Sequence, residues 1–294
     1  MTRVAAIGEA MVELSLTGDV AQVGVAGDTL NTSIYLKRAA TDISVDYITA
    51  LGDDAFSDKI EAFISAQGID TQKIARLPGK MPGLYAISTT DSGERSFSYW
   101  RNTSAARHLF ETKNGYLFDI LDGYDLIYLS GISVAILPQA ARLALLDWLD
   151  RSSVRLAYDS NYRPRLWESQ EIAQEVTSAF WARADICLPS IDDEMELFNC
   201  TEEDVEQRFL SLDALGALKR GARGPLSIGQ PVEQDYSPAT SVVDTTAAGD
   251  SFNGSYLAAL LGGASQATAL MAGHRMAAEV VGYRGAIVPT KDVA

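Results

Sequence analysis

Short apolar runs of strand length alternate with longer runs of helical period through most of this chain, and that rhythm limits its fold more than any other feature. Residues 4–7, 45–51, 126–129, 154–158, 186–188 and 214–218 read as strands. Residues 29–40, 55–67, 138–150, 168–182, 249–261 and 265–282 read as helices. Strands separated by helices are joined by crossovers, so the pattern predicts an α/β fold with a mainly parallel sheet covered on both faces. Two segments break the rhythm. Residues 11–25 and 84–101 show period-two alternation, clearest in Arg95-Ser96-Phe97-Ser98-Tyr99-Trp100, and read as strands of a small separate sheet. The alternative is an edge extension of the main sheet. With no internal repeat, low-complexity tract or linker, residues 1–294 are expected to form one domain carrying that insertion.

Hydrophobic residues make up 47% and charged residues 21% of the 294, enough apolar material for a large core and too little charge for disorder. The formal charge of −15, with no Lys/Arg run to offset it, excludes nucleic acid and anionic membrane as partners. An anionic small substrate would have to be drawn in by a few locally placed arginines. Cys187 and Cys200, the latter ending an apparent helix, read as small packing residues in a reduced compartment. Two histidines, His108 and His274, exclude a multi-histidine metal site. Met1-Thr2-Arg3 leads straight into a strand-like run and no apolar stretch has transmembrane length, so a cytoplasmic location is expected.

The run Val243-Asp244-Thr245-Thr246-Ala247-Ala248-Gly249-Asp250 precedes an apolar helix. Small residues permit a tight turn whose N–H groups face outward, and the helix adds its positive end, which makes an anion cradle. Asp250 places a carboxylate beside the anion, the minimum equipment for phosphoryl transfer to an alcohol, although a capping role would explain it too. In Ala26-Gly27-Asp28-Thr29-Leu30-Asn31, Gly27 lets a ligand approach the backbone, while Asp28 and Asn31 suit sugar hydroxyls; Asp28 as a plain cap is the alternative. Leu51-Gly52-Asp53-Asp54-Ala55-Phe56-Ser57 reads as a strand-to-helix turn capped by Asp. Arg101, after Tyr99-Trp100, offers a bidentate partner for a carboxylate, and Arg163 in Asp159-Ser160-Asn161-Tyr162-Arg163-Pro164-Arg165-Leu166-Trp167 is a second candidate. Asp193 or Glu194 supplies the hard oxygen that Mg²⁺ prefers, unless both merely favour a helix start.

In this order the motifs resemble the ribokinase-like (PfkB) carbohydrate kinases. D-T-x-x-A-G-D-x-F-x-G is similar to their C-terminal signature, with Ala247 where Gly is usual; G-D-T-L-N and D-x-N-x-R-P-x-L-W resemble the group acting on 2-keto-3-deoxygluconate. Ala26 and Ser57 also replace family glycines, and Ser190 replaces an Asn. The resemblance implies a three-layer α/β/α fold with a β lid, and ATP-dependent phosphorylation of a primary alcohol at C6 of an acid sugar. It implies that Asp250 is the base and that Ala247, Ala248 and Gly249 form the anion hole. Gly27, Asp28, Asn31, Tyr85, Tyr99, Arg101, Asn161 and Arg163 would hold the sugar. Ser190, Lys219, Gly221, Gly224 and His274 would line the nucleotide site, and Mg²⁺ would be held through water by Asp193 or Glu194. A kinase for a neutral sugar such as fructose, and a non-catalytic binding protein, stay open as alternatives, as does self-association.

Overall fold

The computed structural model describes residues 1–89 and 95–289; residues 90–94, within the segment 84–101, and residues 290–294 lie outside the described residues. The chain runs β1 (Arg3–Ile7), β2 (Met11–Thr17), β3 (Val20–Ala26), α1 (Asp28–Ala39), β4 (Ser44–Ile48), β5 (Ala50–Leu51), α2 (Ala55–Ala66) and β6 (Ala75–Arg76). Next come β7 (Leu84–Thr89), β8 (Arg95–Trp100), β9 (Glu111–Thr112), β10 (Gly115–Tyr116), β11 (Leu126–Ser130), α3 (Gly131–Ile136), α4 (Gln139–Arg151) and β12 (Arg155–Asp159). The last part holds α5 (Gln170–Arg183), β13 (Ile186–Cys187), α6 (Ile191–Phe198), α7 (Glu202–Leu210), β14 (Leu215–Leu218), β15 (Leu226–Ile228), α8 (Ala248–Leu261) and α9 (Gln266–Val280).

Seven strands make the main sheet in the order β15-β14-β13-β12-β11-β1-β4, every neighbour parallel except β15, which is antiparallel to β14. Side chains alternate across it. Val4, Ala6, Leu126 and Tyr128 pack with Leu30, Ile60, Leu257 and Leu270 of α1, α2, α8 and α9. Ala5, Ile7, Ile127 and Leu129 pack with Leu145, Phe180, Leu197 and Phe209 of α4 to α7. Burial on both faces is why β1 after Arg3 and β11 before Ser130 are mainly apolar. The alternating segments form a second sheet of order β3-β2-β7-β8, separate from the first; β2 pairs with β7 in parallel and β8 returns antiparallel.

The sequence reading needs four local corrections. Residues 11–25 hold two strands, turned at Gly18, whose φ of 58° suits glycine. Residues 45–51 are interrupted at Thr49. The helix assigned up to Cys200 stops at Phe198, because Asn199 takes the left-handed conformation at φ 50°, which asparagine tolerates. Helices α3 and α7 and the edge strand β15 went unread: each is short, and α7 is delimited by a Thr201–Asp204 capping box instead of a long apolar stripe. The turn before α2 matches the capping reading, Asp54 accepting from Phe56 N (2.9 Å) and Ser57 N (3.2 Å).

Candidate active site

Parallel strands send their carboxyl ends to one edge. There the chain leaves β1 toward β4 on one side and builds β11 to β14 on the other, so the loops after these strands diverge and leave a crevice. Glu9 follows β1, Ser130 ends β11, Asp159 ends β12, and Ser190 and Lys219 follow β13 and β14. The N-terminus of α8 closes the floor.

At that terminus Ala247 is the N-cap, in the left-handed conformation (φ 60°, ψ 17°). The chain reverses there sharply enough for Ala248 N to donate to Thr245 O at 3.2 Å. Ala248 N–H thus takes part in the turn at which the sequence reading places the cradle. Asp244 fixes the loop, accepting from Thr246 N (3.1 Å), Thr246 Oγ1 (2.7 Å) and Gly285 N (2.9 Å).

Asp250 stands in the first turn of α8 and accepts from Asn31 Nδ2 at 2.9 Å. Burial, then the nearby charge of Asp28, pushes its carboxyl well above the ordinary range. Asp28 accepts from Asn161 Nδ2 at 2.8 Å and is itself pushed up by burial, despite hydrogen bonds from Ser130 and the Thr29 backbone. Asn161 reaches it from a strained backbone, φ 29°. Asp28 and Asn31 from α1, Asn161 from the loop after β12 and Asp250 from α8 thus converge from three segments. Gly27 packs its backbone on the Glu9 carbonyl beside them, where a Cβ would come within 2.4 Å.

Beneath them lies a charged network that the sequence reading only half identified. Lys219 Nζ donates to Asp159 Oδ1 (2.8 Å) and Asn253 Oδ1 (3.2 Å), and Asn253 Nδ2 donates to Asp159 Oδ2 (2.8 Å) and the Tyr128 hydroxyl (3.1 Å). Lys219 Nζ also lies close to Gly249, 3.7 Å from where a Cβ would stand. Asn253 was missed, though its position three residues after Asp250 puts both on one face of the helix. Asp159 was quoted as the start of a motif without a role of its own.

On the other flank Ser190 begins α6, its N–H donating to Ser160 Oγ at 3.0 Å. Gly221 and Gly224 shape the turn after β14 with φ of 58° and 77°. His274 is buried; its Nε2 is 2.7 Å from Ser237 O and its ring 5.0 Å from that of Tyr236, so it ties the loop before α8 to α9. Of the two acidic candidates, Glu194 is turned inward, accepting from Trp181 Nε1 (3.1 Å) and Arg208 Nη1 (3.0 Å), and burial pushes it up to about 8. Asp193 faces Arg163 at 3.4 Å, and burial pushes it up to about 6. The same Arg163 Nη1 donates to Tyr162 O at 2.6 Å.

The small sheet brings Tyr85 and Tyr99 opposite each other, rings stacked at 5.7 Å; the Tyr85 hydroxyl donates to Glu13, and Tyr99 is half exposed. Arg101 is buried and forms an ion pair with Glu9, a residue the sequence reading passed over. Its signal was its place: a charged side chain directly after the glycine that ends an apolar strand.

The arrangement sets a helix N-terminus beside a buried carboxyl raised by its surroundings, two carboxamides and a lysine. Residues 1–292 match the model of the pfkB family of carbohydrate kinases. The chain belongs to that family. It is 42% identical to the 2-dehydro-3-deoxygluconokinase of Dickeya dadantii, with 97% of this chain and 96% of that enzyme covered. It is 40% identical to the enzyme of the same name from Escherichia coli K12, covering 98% and 97%. The fold superposes on the 2-dehydro-3-deoxygluconokinase of Thermotoga maritima with a TM-score of 0.78 at 22% identity, covering 98% of this chain and 96% of that one.

Proposed function

We infer that the chain is an ATP-dependent sugar kinase that phosphorylates 2-keto-3-deoxygluconate (2-dehydro-3-deoxygluconate) at its C6 hydroxyl. The observation that carries this reading is the near-full-length likeness to bacterial enzymes of that name, joined to a cleft with the chemistry of phosphoryl transfer. Asp28, Asn31 and Asn161 orient the sugar hydroxyls. Asp250 takes the proton as the C6 oxygen bonds to the γ-phosphorus and the bond from that phosphorus to the β,γ-bridging oxygen breaks, releasing ADP. A carboxylate whose proton affinity is raised by burial and by Asp28 is a better base than an exposed one. The N–H groups of Ala247 and Gly249 and the Lys219 ammonium face the charge on the transferring group. The small sheet, through Tyr85, Tyr99 and Arg101, serves as a lid that excludes water.

Among the described residues no group of three or more His, Cys, Asp and Glu side chains could hold a metal ion. That fits Mg²⁺, which keeps its waters and is held mainly by nucleotide phosphates, with Asp193 as the carboxylate nearest in character. When bound, the ion screens the phosphate charges.

A neutral-sugar kinase is the second reading, favoured by one observation: Arg101 is paired with Glu9 and Arg163 with Asp193, so each guanidinium already has a carboxylate. ADP release with ATP and Mg²⁺ on 2-keto-3-deoxygluconate, 2-keto-gluconate, fructose and ribose separates them. A kcat/KM highest for 2-keto-3-deoxygluconate is expected; a preference for fructose or ribose would overturn the reading.

A further inference from the structure

The ion pair between Glu9 and Arg101 joins the loop after β1 to the end of the small sheet's last strand. The side chains are 1% and 7% exposed. Glu9 follows β1, and Arg101 is the first residue after β8, so the pair ties the small sheet to the main one. A carboxylate that satisfies a guanidinium usually takes two parallel N–H bonds. Here Glu9 Oε2 meets Arg101 Nη2, while Glu9 Oε1 and Arg101 Nε are buried with no hydrogen-bond partner among the described residues. One arm of the Nε–Nη2 fork is therefore taken by Glu9, and the other, Nε, is buried without a partner. Space for Glu9 is made by two glycines: a Cβ on Gly83 would come within 2.6 Å of Oε1, and one on Gly27 within 2.4 Å of its carbonyl oxygen. Gly27 leads into Asp28, which is close enough to feel the charge of Arg101. The guanidinium thus lies near the carboxylate of Asp28, with Nε and Nη2 closed to solvent.

We propose that Glu9 is an internal counter-ion standing in for the acid group of the substrate at Arg101, so that Glu9 sets how strongly an acid sugar is preferred over a neutral one. This rests on the acid-sugar reading above and explains the pairing that otherwise favours a neutral sugar. A buried guanidinium without any counter-charge is strongly destabilising, so the free enzyme needs Glu9. An incoming carboxylate must share Arg101 with it. A neutral sugar gains nothing from the arginine, because its charge is already balanced.

Glu9→Gln keeps the shape of the side chain and removes the competing charge. The variant is expected to melt below the parent and to be stabilised more than the parent by 2-keto-3-deoxygluconate. Its KM for the acid sugar should fall about 10-fold, a typical worth of one charge-assisted contact, with the change in KM and not in kcat. The KM for the C1 amide of the same sugar should stay where it is. Glu9→Ala opens space for a small carboxylate, so millimolar acetate should raise its melting temperature and leave that of the parent unchanged. Should Glu9→Gln fail to fold, Glu9→Asp withdraws the charge by one methylene and should lower the acid-sugar KM by a smaller factor. An unchanged or raised KM for the acid sugar in a folded variant would overturn the proposal, as would an equal fall for acid and amide. A parent enzyme that binds acid and amide alike would overturn the acid-sugar reading itself, and the proposal with it.

Discussion

Ala247 carries a cost that can be worked out from its backbone. At φ 60° and ψ 17° it sits in the left-handed region, where an L-residue loses about 1–2 kcal/mol to the approach of its Cβ and the following carbonyl. Glycine has no such penalty but is freer when unfolded, which takes back about 0.4–1 kcal/mol. Ala247→Gly should therefore stabilise the protein by about 0.5–1 kcal/mol. In a chain of this length that corresponds to a rise of about 1–3 °C in Tm. Urea unfolding followed by circular dichroism should show a higher midpoint with an unchanged slope, which separates a folded-state effect from altered compactness. The Ala247 N–H survives the change, so kcat and the KM for ATP should move less than about two-fold. A midpoint equal to or below that of the parent would refute the assignment of strain to this turn.

Three other outcomes follow from the cleft. Arg101→Ala should weaken 2-keto-3-deoxygluconate by about 10- to 150-fold while sparing its C1 amide, the range of one or more charge-assisted contacts; equal losses in a steady-state comparison would leave Arg101 a shaping role only. Arg163→Ala removes the charge that restrains Asp193, already pushed up to about 6, so a magnesium titration at neutral pH should need a higher concentration for half-maximal rate; an unchanged requirement would separate Asp193 from the metal. The third concerns pH. Asp250 must be ionised to accept a proton and its carboxyl is raised, so kcat should climb through a range well above that of an ordinary carboxylate, and Asp28→Asn should shift that limb to lower pH. The native state holds this proton where the unfolded chain has lost it, so the contribution of Asp250 to stability declines as pH rises from the unfolded value through the folded one. A rate limb near pH 4 would contradict both statements.

Legibility in the sequence followed the physics of each feature. The layered α/β fold was readable because strands buried on both faces are mainly apolar, as in β1 after Arg3 and β11 before Ser130, while α9 shows a helical period and α8, buried on every side from Ser251 to Ala258, shows its length and apolar content. Short elements carried no period: α3 has six residues and β15 three. The converging residues Asp28, Asn31, Asn161 and Asp250 could be named from local chemistry, since each lies at a helix start or after a strand. Partners that depend on tertiary approach could not. Glu194 and Asp193 are adjacent in sequence and equally acidic, yet the turn of α6 sends one to Trp181 and Arg208 and the other to Arg163. Arg101 looked like a free cation because nothing in its own segment hints that Glu9, 92 positions away, would neutralise it. The turn bond that occupies Ala248 N–H depends on the backbone angle of Ala247, which an alanine does not announce.

The phosphoryl-transfer role of the cleft is tested most directly by Asp250→Asn. The amide keeps the size of the side chain and can still engage Asn31, but it cannot take a proton from the sugar hydroxyl at neutral pH. Rapid-quench measurement of a single turnover, with enzyme in excess over radiolabelled ATP and saturating 2-keto-3-deoxygluconate, reads the chemical step apart from product release. The rate should fall about 10²- to 10⁴-fold, the usual worth of a general base, while the dissociation constant for the nucleotide stays within a few-fold of the parent value. A folded variant that transfers phosphate at close to the parental rate would contradict the assignment of Asp250 as the base.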